Sequence, residues 1–310
     1  MAPSAITESE VSEKAVSLRP SSKEKTPLEA ISQGDVLPDI PTFPTFAAER
    51  RHILIHMAAT FRGWARNGYV EGQAGHISVR DPEFPSLIWM NPLSRHFGML
   101  TAGDMLLLEI ATGKVVAGNP NPTTGKRTAN LAGYFIHSEI HKRRPDAHSI
   151  CHAHTPAGRA WSVFARPLDM LTQDVCNFHG CLAVYRSYGG IVFAGDEGSR
   201  IADALGKGSK GAILMNHGLL TVGHTVDEAG FMFGLLERSC AIQLQVEAAA
   251  ANGIEKHVIS DEEAAYNCRM ASEKNALYRE AQPDIELEIE AAGGEEAIAR
   301  GFDKLRIEVE

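Results

Sequence analysis

Between residues 47 and 252, apolar positions switch repeatedly between a helical and a strand-like spacing. The stretch AAERRHILIHMAATFRGWARNGY (47–69) has helical composition and ends at Asn67-Gly68, a capping pair. GHISVRD (75–81) alternates Ile77 and Val79 with polar neighbours and predicts a strand. SLIWMN and DMLLLEI are short apolar runs that predict buried strands, and ATGKVVAGN reads as a turn into another. NLAGYFIHSEIHKRRPD (130–146) spaces Leu131, Phe135 and Ile136 helically and stops at Arg144-Pro145. AHSICHAHT predicts a strand, after which Thr155-Pro156 opens a helix with Thr as N-cap and Pro in the first turn. GGIVFAG predicts a strand, DEGSRIADALGKG a short helix, and GAILMNHGLLTVG one or two buried strands broken at His217-Gly218. Thr225-Val226-Asp227-Glu228 has the capping-box pattern and starts a long helix. Strands interleaved with helices over about 200 residues imply a layered α/β domain with no internal boundary.

The flanks differ from this pattern. Residues 1–40 are rich in Ser, Glu, Lys and Pro and carry no apolar h-region, which predicts a disordered tail and not a secretory signal. Residues 253–310 are acidic and read as a surface extension with a final helix. With 30 Lys+Arg against 39 Asp+Glu, the net charge of −9 argues against a nucleic-acid binder. No run approaches the ~18 apolar residues of a membrane span. Five cysteines, an odd number without a CxxC pair, point to a reduced, cytoplasmic protein and away from a thiolate zinc site.

Candidate chemistry gathers around His152 and His154. On a strand, positions i and i+2 face the same way, so both rings can address one ion. His217, at the end of an apolar run and before Gly218, is the candidate third ligand. Three histidines with an open position describe a catalytic metal site better than a structural one. Two plainer readings stand beside it. His148 and Ile150 share the face of His152, so the stripe reads equally as a mixed sheet face. His137 and His141 lie at i and i+4 on a predicted helix and form a rival pair, although H-S-E-I-H is not the zinc-protease pattern.

AGHISVRD, MNPLSRHFGMLTAGDMLLLE, NLAGYFIHSEIHKRRPDAHSICHAHTPAGRAWS and MNHGLLTVGHTVDEAGFMFGLLERSC together resemble the class II aldolase/adducin family over residues 48–252. The resemblance implies a three-layer α/β/α fold whose central mixed, largely antiparallel sheet lies between helical layers. It implies a homotetramer with sites at subunit interfaces and a small-molecule substrate. It also implies a divalent metal, commonly Zn2+, held by His152, His154 and His217, which polarises a carbonyl during retro-aldol cleavage of a sugar phosphate.

Several family positions differ here. The aldolase glutamate, 19 residues before the first histidine of H-x-H, is Gly133, and the two phosphate-gripping serines are Leu131 and Ala132. The phosphate loop G-N-x-S reads Gly75-His76-Ile77-Ser78, keeping Gly75 and Ser78 as substrate-binding candidates. Glu139 is turned about 600° from Gly133 at ~100° per residue and faces elsewhere. A phosphate dianion needs several donors or cations, so a non-phosphorylated hydroxy or oxo acid is expected, cleaved by retro-aldol chemistry or decarboxylation, as in specialised metabolism. The same triad also suits Fe2+ and oxidative decarboxylation. A non-catalytic, adducin-like scaffold is the third reading, though its long basic tail is missing.

Secondary candidates follow from the same stretches. Asn91 and Ser94 match a loop that borders the substrate in the family. Arg95 and His96 carry charge for a substrate carboxylate. Tyr185 and Tyr188 are candidate acids, Asn216 orients His217, and Gln173 and Asp174 are candidates to support a ligand histidine. A turn or packing role is the alternative for each.

Overall fold

The structure, a computed structural model, describes residues 25–190 and 195–307. Its strands are β1 (His76–Arg80), β2 (Leu87–Met90), β3 (Leu106–Glu109), β4 (Val115–Gly118), β5 (Ser149–Ala153), β6 (Leu182–Tyr185), β7 (Gly211–Leu214) and β8 (Gly218–Gly223). They form one sheet in the order β4-β3-β2-β1-β5-β8-β7-β6, antiparallel throughout except for the parallel pair β6–β7. The helices are α1 (Pro27–Ile31), α2 (Phe46–Arg66), α3 (Leu131–Arg143), α4 (Pro156–Ser162), α5 (Gly195–Leu205), α6 (Val226–Ala250), α7 (Asp261–Ala271), α8 (Lys274–Ala291) and α9 (Glu295–Ile298).

Side-chain alternation along the strands divides the core into layers. One sheet face buries Ile77, Val79, Trp89, Leu107, Cys151, Ala153 and Leu219 with Leu54 and Phe61 of α2, Trp161 of α4, Phe233 of α6 and Leu277 of α8. The opposite face buries Ile150, Leu214, Leu220 and Val222 with Ile136 and Ile140 of α3 and Ile201 and Leu205 of α5. Each buried Val, Leu, Ile or Phe among them contributes roughly 1.5–3 kcal/mol relative to exposure. The result is the expected three-layer α/β/α arrangement.

Local signals place most element ends. The Thr45 side chain accepts from Ala48 N and starts α2, and the Asn130 side chain accepts from Gly133 N and starts α3. Thr225 caps α6 by accepting from Glu228 N at 3.1 Å, but the Glu228 carboxylate does not close the box. It accepts instead from His224 N at 2.9 Å and Lys210 Nζ at 2.8 Å.

The flanks are more structured than their composition suggests. Of the expected tail, residues 1–24 lie outside the described residues, while Thr26 starts α1 with both halves of a capping box. Residues up to 37 form a unit of their own. The expected strand GGIVFAG includes residues 191–194, which are outside the described residues. The acidic C-terminal stretch is not a surface appendage: Leu277, Ile285 and Ile298 belong to the main core. Leu277, Ala281, Ile285 and Ile289 recur every fourth residue, an apolar stripe that surrounding Glu and Asp dilute in any compositional average. Among the described residues, no helix is long and apolar enough to cross a membrane.

Candidate metal centre

The three histidines reach one place by two routes. β5 ends at Ala153, so His152 alone stands on the strand and His154 sits one residue beyond it, in the turn into α4. That turn is held from α6. The buried Glu237 carboxylate accepts from Ala157 N (2.8 Å), Gly158 N (2.7 Å) and the Thr155 hydroxyl. Thr155 therefore occupies the N-cap position without capping, because Glu237 already accepts from the Ala157 and Gly158 N–H groups that its oxygen would cap. His217 arrives on the short connection between β7 and β8. Asn216 takes a left-handed φ of 56°, and His217 N donates to Leu214 O at 3.0 Å. A Cβ at Gly218 would stand 2.8 Å from Ala153 O, so glycine lets the β7–β8 connection close onto the end of β5.

The ring centroids lie 5.1 Å apart for His152–His154, and 4.8 Å apart for His152–His217 and for His154–His217. One ligand nitrogen from each of the three lies within 4.8 Å of the others. His152 Nδ1 donates to Leu219 O at 2.8 Å, which leaves the Nε2 lone pair free. Burial holds the His152 pKa well below its usual value, and the neighbouring His217 adds to the effect. His217 is pushed down to about 4 by burial and then by His154, and His154 is lowered by burial and then by the Arg159 charge. Neutral imidazole is the ligating form, so this donor set fits a single divalent ion. It opens on a cavity of about 460 Å³ lined also by Gly75, His76, Ala132, Ile136, Arg159 and Tyr188.

The other expected site residues are scattered. Gly75, at φ 101°, lines the cavity, and a Cβ there would press on the Phe97 ring at 3.0 Å. Tyr188 lines it too, whereas Tyr185 is buried with its hydroxyl donating to Glu197 at 2.8 Å. Asn91 ties the start of β1 by accepting from Ile77 N at 3.3 Å, and Ser94 donates to Gln73 at 3.1 Å. Ser78 does not line the cavity; it is fully buried between His137 and His141. Arg95 pairs with Asp104 at 3.1 Å, and His96 caps the turn Phe97–Met99. Gln173 and Asp174 lie at a 3-10 turn beside α7, where Gln173 O accepts from Asn267 at 2.7 Å. Asn216 borders the cavity next to His217.

The sequence marks His76 only by its place in the phosphate loop Gly75-His76-Ile77-Ser78 and does not by itself make it a site residue. It faces His152 directly across the β1–β5 pairing, and the rings stack at 4.9 Å. Its partners come from α3. Four helical residues rise ~6.0 Å and two strand residues ~6.8 Å, so His137 and His141 can interleave with His76, Ser78 and Arg80. The row that results is His76 Nδ1 to His137 Nε2 (2.7 Å), His137 Nδ1 to Ser78 Oγ (2.6 Å), Ser78 Oγ to His141 Nε2 (2.8 Å) and His141 Nδ1 to Arg80 Nη2 (3.3 Å). Gly133 is one turn earlier on the same stripe. A Cβ there would sit 2.4 Å from the His76 ring, so the imidazole fills the space that a side chain at this position would need.

Residues 55–244 match the family described as Class II Aldolase and Adducin N-terminal domain. The chain is 41% identical over 210 residues, 67% of its length and 73% of the relative's, to 4-hydroxy-3-prenylphenylpyruvate oxygenase/4-hydroxy-3-prenylbenzoate synthase of Streptomyces roseochromogenus subsp. oscitans. It is likewise 41% identical over 67% of its length, and 75% of the relative's, to Decarboxylase NovR of Streptomyces niveus. Among solved structures, L-fuculose 1-phosphate aldolase from Glaciozyma antarctica PI12 superposes with a TM-score of 0.73 at 38% identity, covering 82% of this chain and 95% of that one. With its fold, its histidine cluster and these matches in agreement, the chain belongs to the class II aldolase/adducin family.

Proposed function

We propose that this protein is a metal-dependent carbon–carbon lyase acting on a non-phosphorylated hydroxy or oxo acid by decarboxylation or retro-aldol cleavage. The observation that carries the reading is the convergence of three neutral imidazoles on a cavity that lacks the family's phosphate grip. His152, His154 and His217 would hold the metal. A bound divalent ion acts as a Lewis acid that polarises a substrate carbonyl. Arg159, on the cavity wall, supplies positive charge to a substrate carboxylate, its own charge partly met by Glu71 at 2.9 Å. Ala132, at a serine position of the sugar-phosphate aldolases, and Ile136 give the cavity apolar wall, which suits a less hydrophilic acid. Tyr188 presents the phenolic proton at the cavity edge. Zinc is the expected ion, and a homotetramer is the expected assembly by likeness to class II aldolases.

A second reading keeps the site and changes the ion. The relative whose name includes an oxygenase favours Fe2+ and oxygen use by this chain as well. The test is elemental analysis of protein purified without oxygen, followed by turnover of aromatic 2-oxo and 2-hydroxy acids with and without oxygen. Zinc with oxygen-independent CO2 or aldehyde release supports the lyase. Iron with stoichiometric oxygen uptake supports the oxygenase. Metal-free protein, or turnover of sugar phosphates alone, overturns both.

A further inference from the structure

His76 ends a hydrogen-bonded row whose direction is set from its far end. Arg80 Nη2 reaches His141 Nδ1 at 3.3 Å and the His141 carbonyl at 3.0 Å. A guanidinium donates and cannot accept. His141 Nδ1 is therefore the acceptor, and its proton lies on Nε2, which donates to Ser78 Oγ at 2.8 Å. The hydroxyl has one hydrogen, which passes on to His137 Nδ1 at 2.6 Å. His137 then carries its proton on Nε2 and donates it to His76 Nδ1 at 2.7 Å. Each ring accepts at one nitrogen and so is neutral, with tautomers assigned from the network. His76 is left with its proton on Nε2, its one nitrogen outside the row, on a ring that lines the metal cavity.

We propose that His76 is a fixed hydrogen-bond donor of this site, a neutral imidazole whose Nε2–H meets an oxyanion or carboxylate oxygen of the bound acid. It occupies the volume against Gly133 where the sugar-phosphate aldolases carry their glutamate. The role deepens the lyase reading and rests on it for the identity of the ligand. Two alternatives fail on the same geometry. His76 is not a fourth metal ligand, because Nδ1 accepts from His137 and Nε2 is protonated. Nor does it relay protons, because any proton it lost would have to be replaced through His137, Ser78 and His141 from an arginine that keeps its own. The row holds a proton at the cavity, as an electrostatic stabiliser of developing negative charge requires.

The test begins with metal-free wild-type protein labelled with imidazole-15N histidine, in which long-range proton–nitrogen correlations report the tautomer of each ring. Nε2–H is expected at His76, His137 and His141, against Nδ1–H at His152. Nδ1–H at His76 overturns the proposal. In Arg80→Met the terminal donor is gone, and His76 is expected to become a tautomer mixture. An unchanged His76 signal there would refute Arg80 as the origin of the order. For His76→Asn, which restores the family residue, full metal stoichiometry is expected with kcat reduced by roughly 10²-fold, the scale of losing one such donor. Loss of metal would make His76 a ligand instead. Tautomers and metal content are read without substrate. If they come out as expected while no acid is turned over, the lyase reading fails and the donor assignment stands.

Discussion

Two sets of histidines sit within one sheet face and its helical cover, and both have ligand-like spacing. His137 and His141 lie one helical turn apart; His152 and His154 are two residues apart and meet His217. In the first pair every ring nitrogen is engaged: His137 by His76 and Ser78, His141 by Ser78 and Arg80. In the second set, His152 engages only its Nδ1 with Leu219, and the three rings border a cavity of about 460 Å³. The difference teaches that spacing makes a histidine available for a metal only when the surroundings leave a lone pair unspent. One set is tied into a buried hydrogen-bonded row; the other lines the cavity.

The sharpest way to break this contrast is metal content. His217→Ala is expected to abolish stoichiometric metal after dialysis. The loss should exceed the roughly 10–100-fold affinity decrease typical of changes to residues behind the ligands. His137→Ala should retain metal, and the opposite result by elemental analysis would move the site to α3. Next is the contact between Gly133 and His76. Glycine to alanine in a helix normally stabilises by about 1 kcal/mol, but Gly133→Ala is expected to destabilise by about 1–3 kcal/mol through overpacking against the imidazole. Adding His76→Asn should recover much of that loss in urea denaturation; purely additive effects would show that the two positions do not share the space.

Acid sharpens the contrast differently. Burial pushes His52 and His217 down to about 4, and holds His137 and His141 well below their usual value. As pH falls below ~6.5, the unfolded chain takes up protons that the folded chain refuses. Stability is therefore full above that value and lost progressively toward pH 4, where His52 and His217 themselves titrate. Equal urea midpoints at pH 7 and pH 5 would show that these rings are not buried neutral. The smallest effect is expected on the outer face of α3. Lys142→Ala removes an exposed ion pair with Glu139 and should change stability by less than about 0.5 kcal/mol.

Much of this was legible because it is local. Period-2 alternation in HISVR identifies β1, with His76 and Ser78 on the face opposite Ile77 and Val79, and AHSICHAHT identifies β5; only the β1–β5 register brings His152 to the face of His76. Asn130 and Thr225 announce α3 and α6, and NHG marks the break that presents His217. What escaped depends on partners distant in the chain. Thr155 has the residue type of an N-cap, yet Glu237, 82 positions away, accepts from the N–H groups it would cap. The G-N-x-S pattern makes Ser78 a substrate-contact candidate, yet α3 covers it with two imidazoles. The acidic C-terminus hid an apolar stripe whose burial only α2 and α6 reveal.

The residue order alone determined the alternation of strands and helices, the family resemblance and the His152/His154 pair, since each is written in short-range spacing. Tertiary structure alone decided which nitrogens are spent and which remain free. A hydrogen bond has a direction, and that direction passes from Arg80 to His76 only when β1 and α3 are laid against each other.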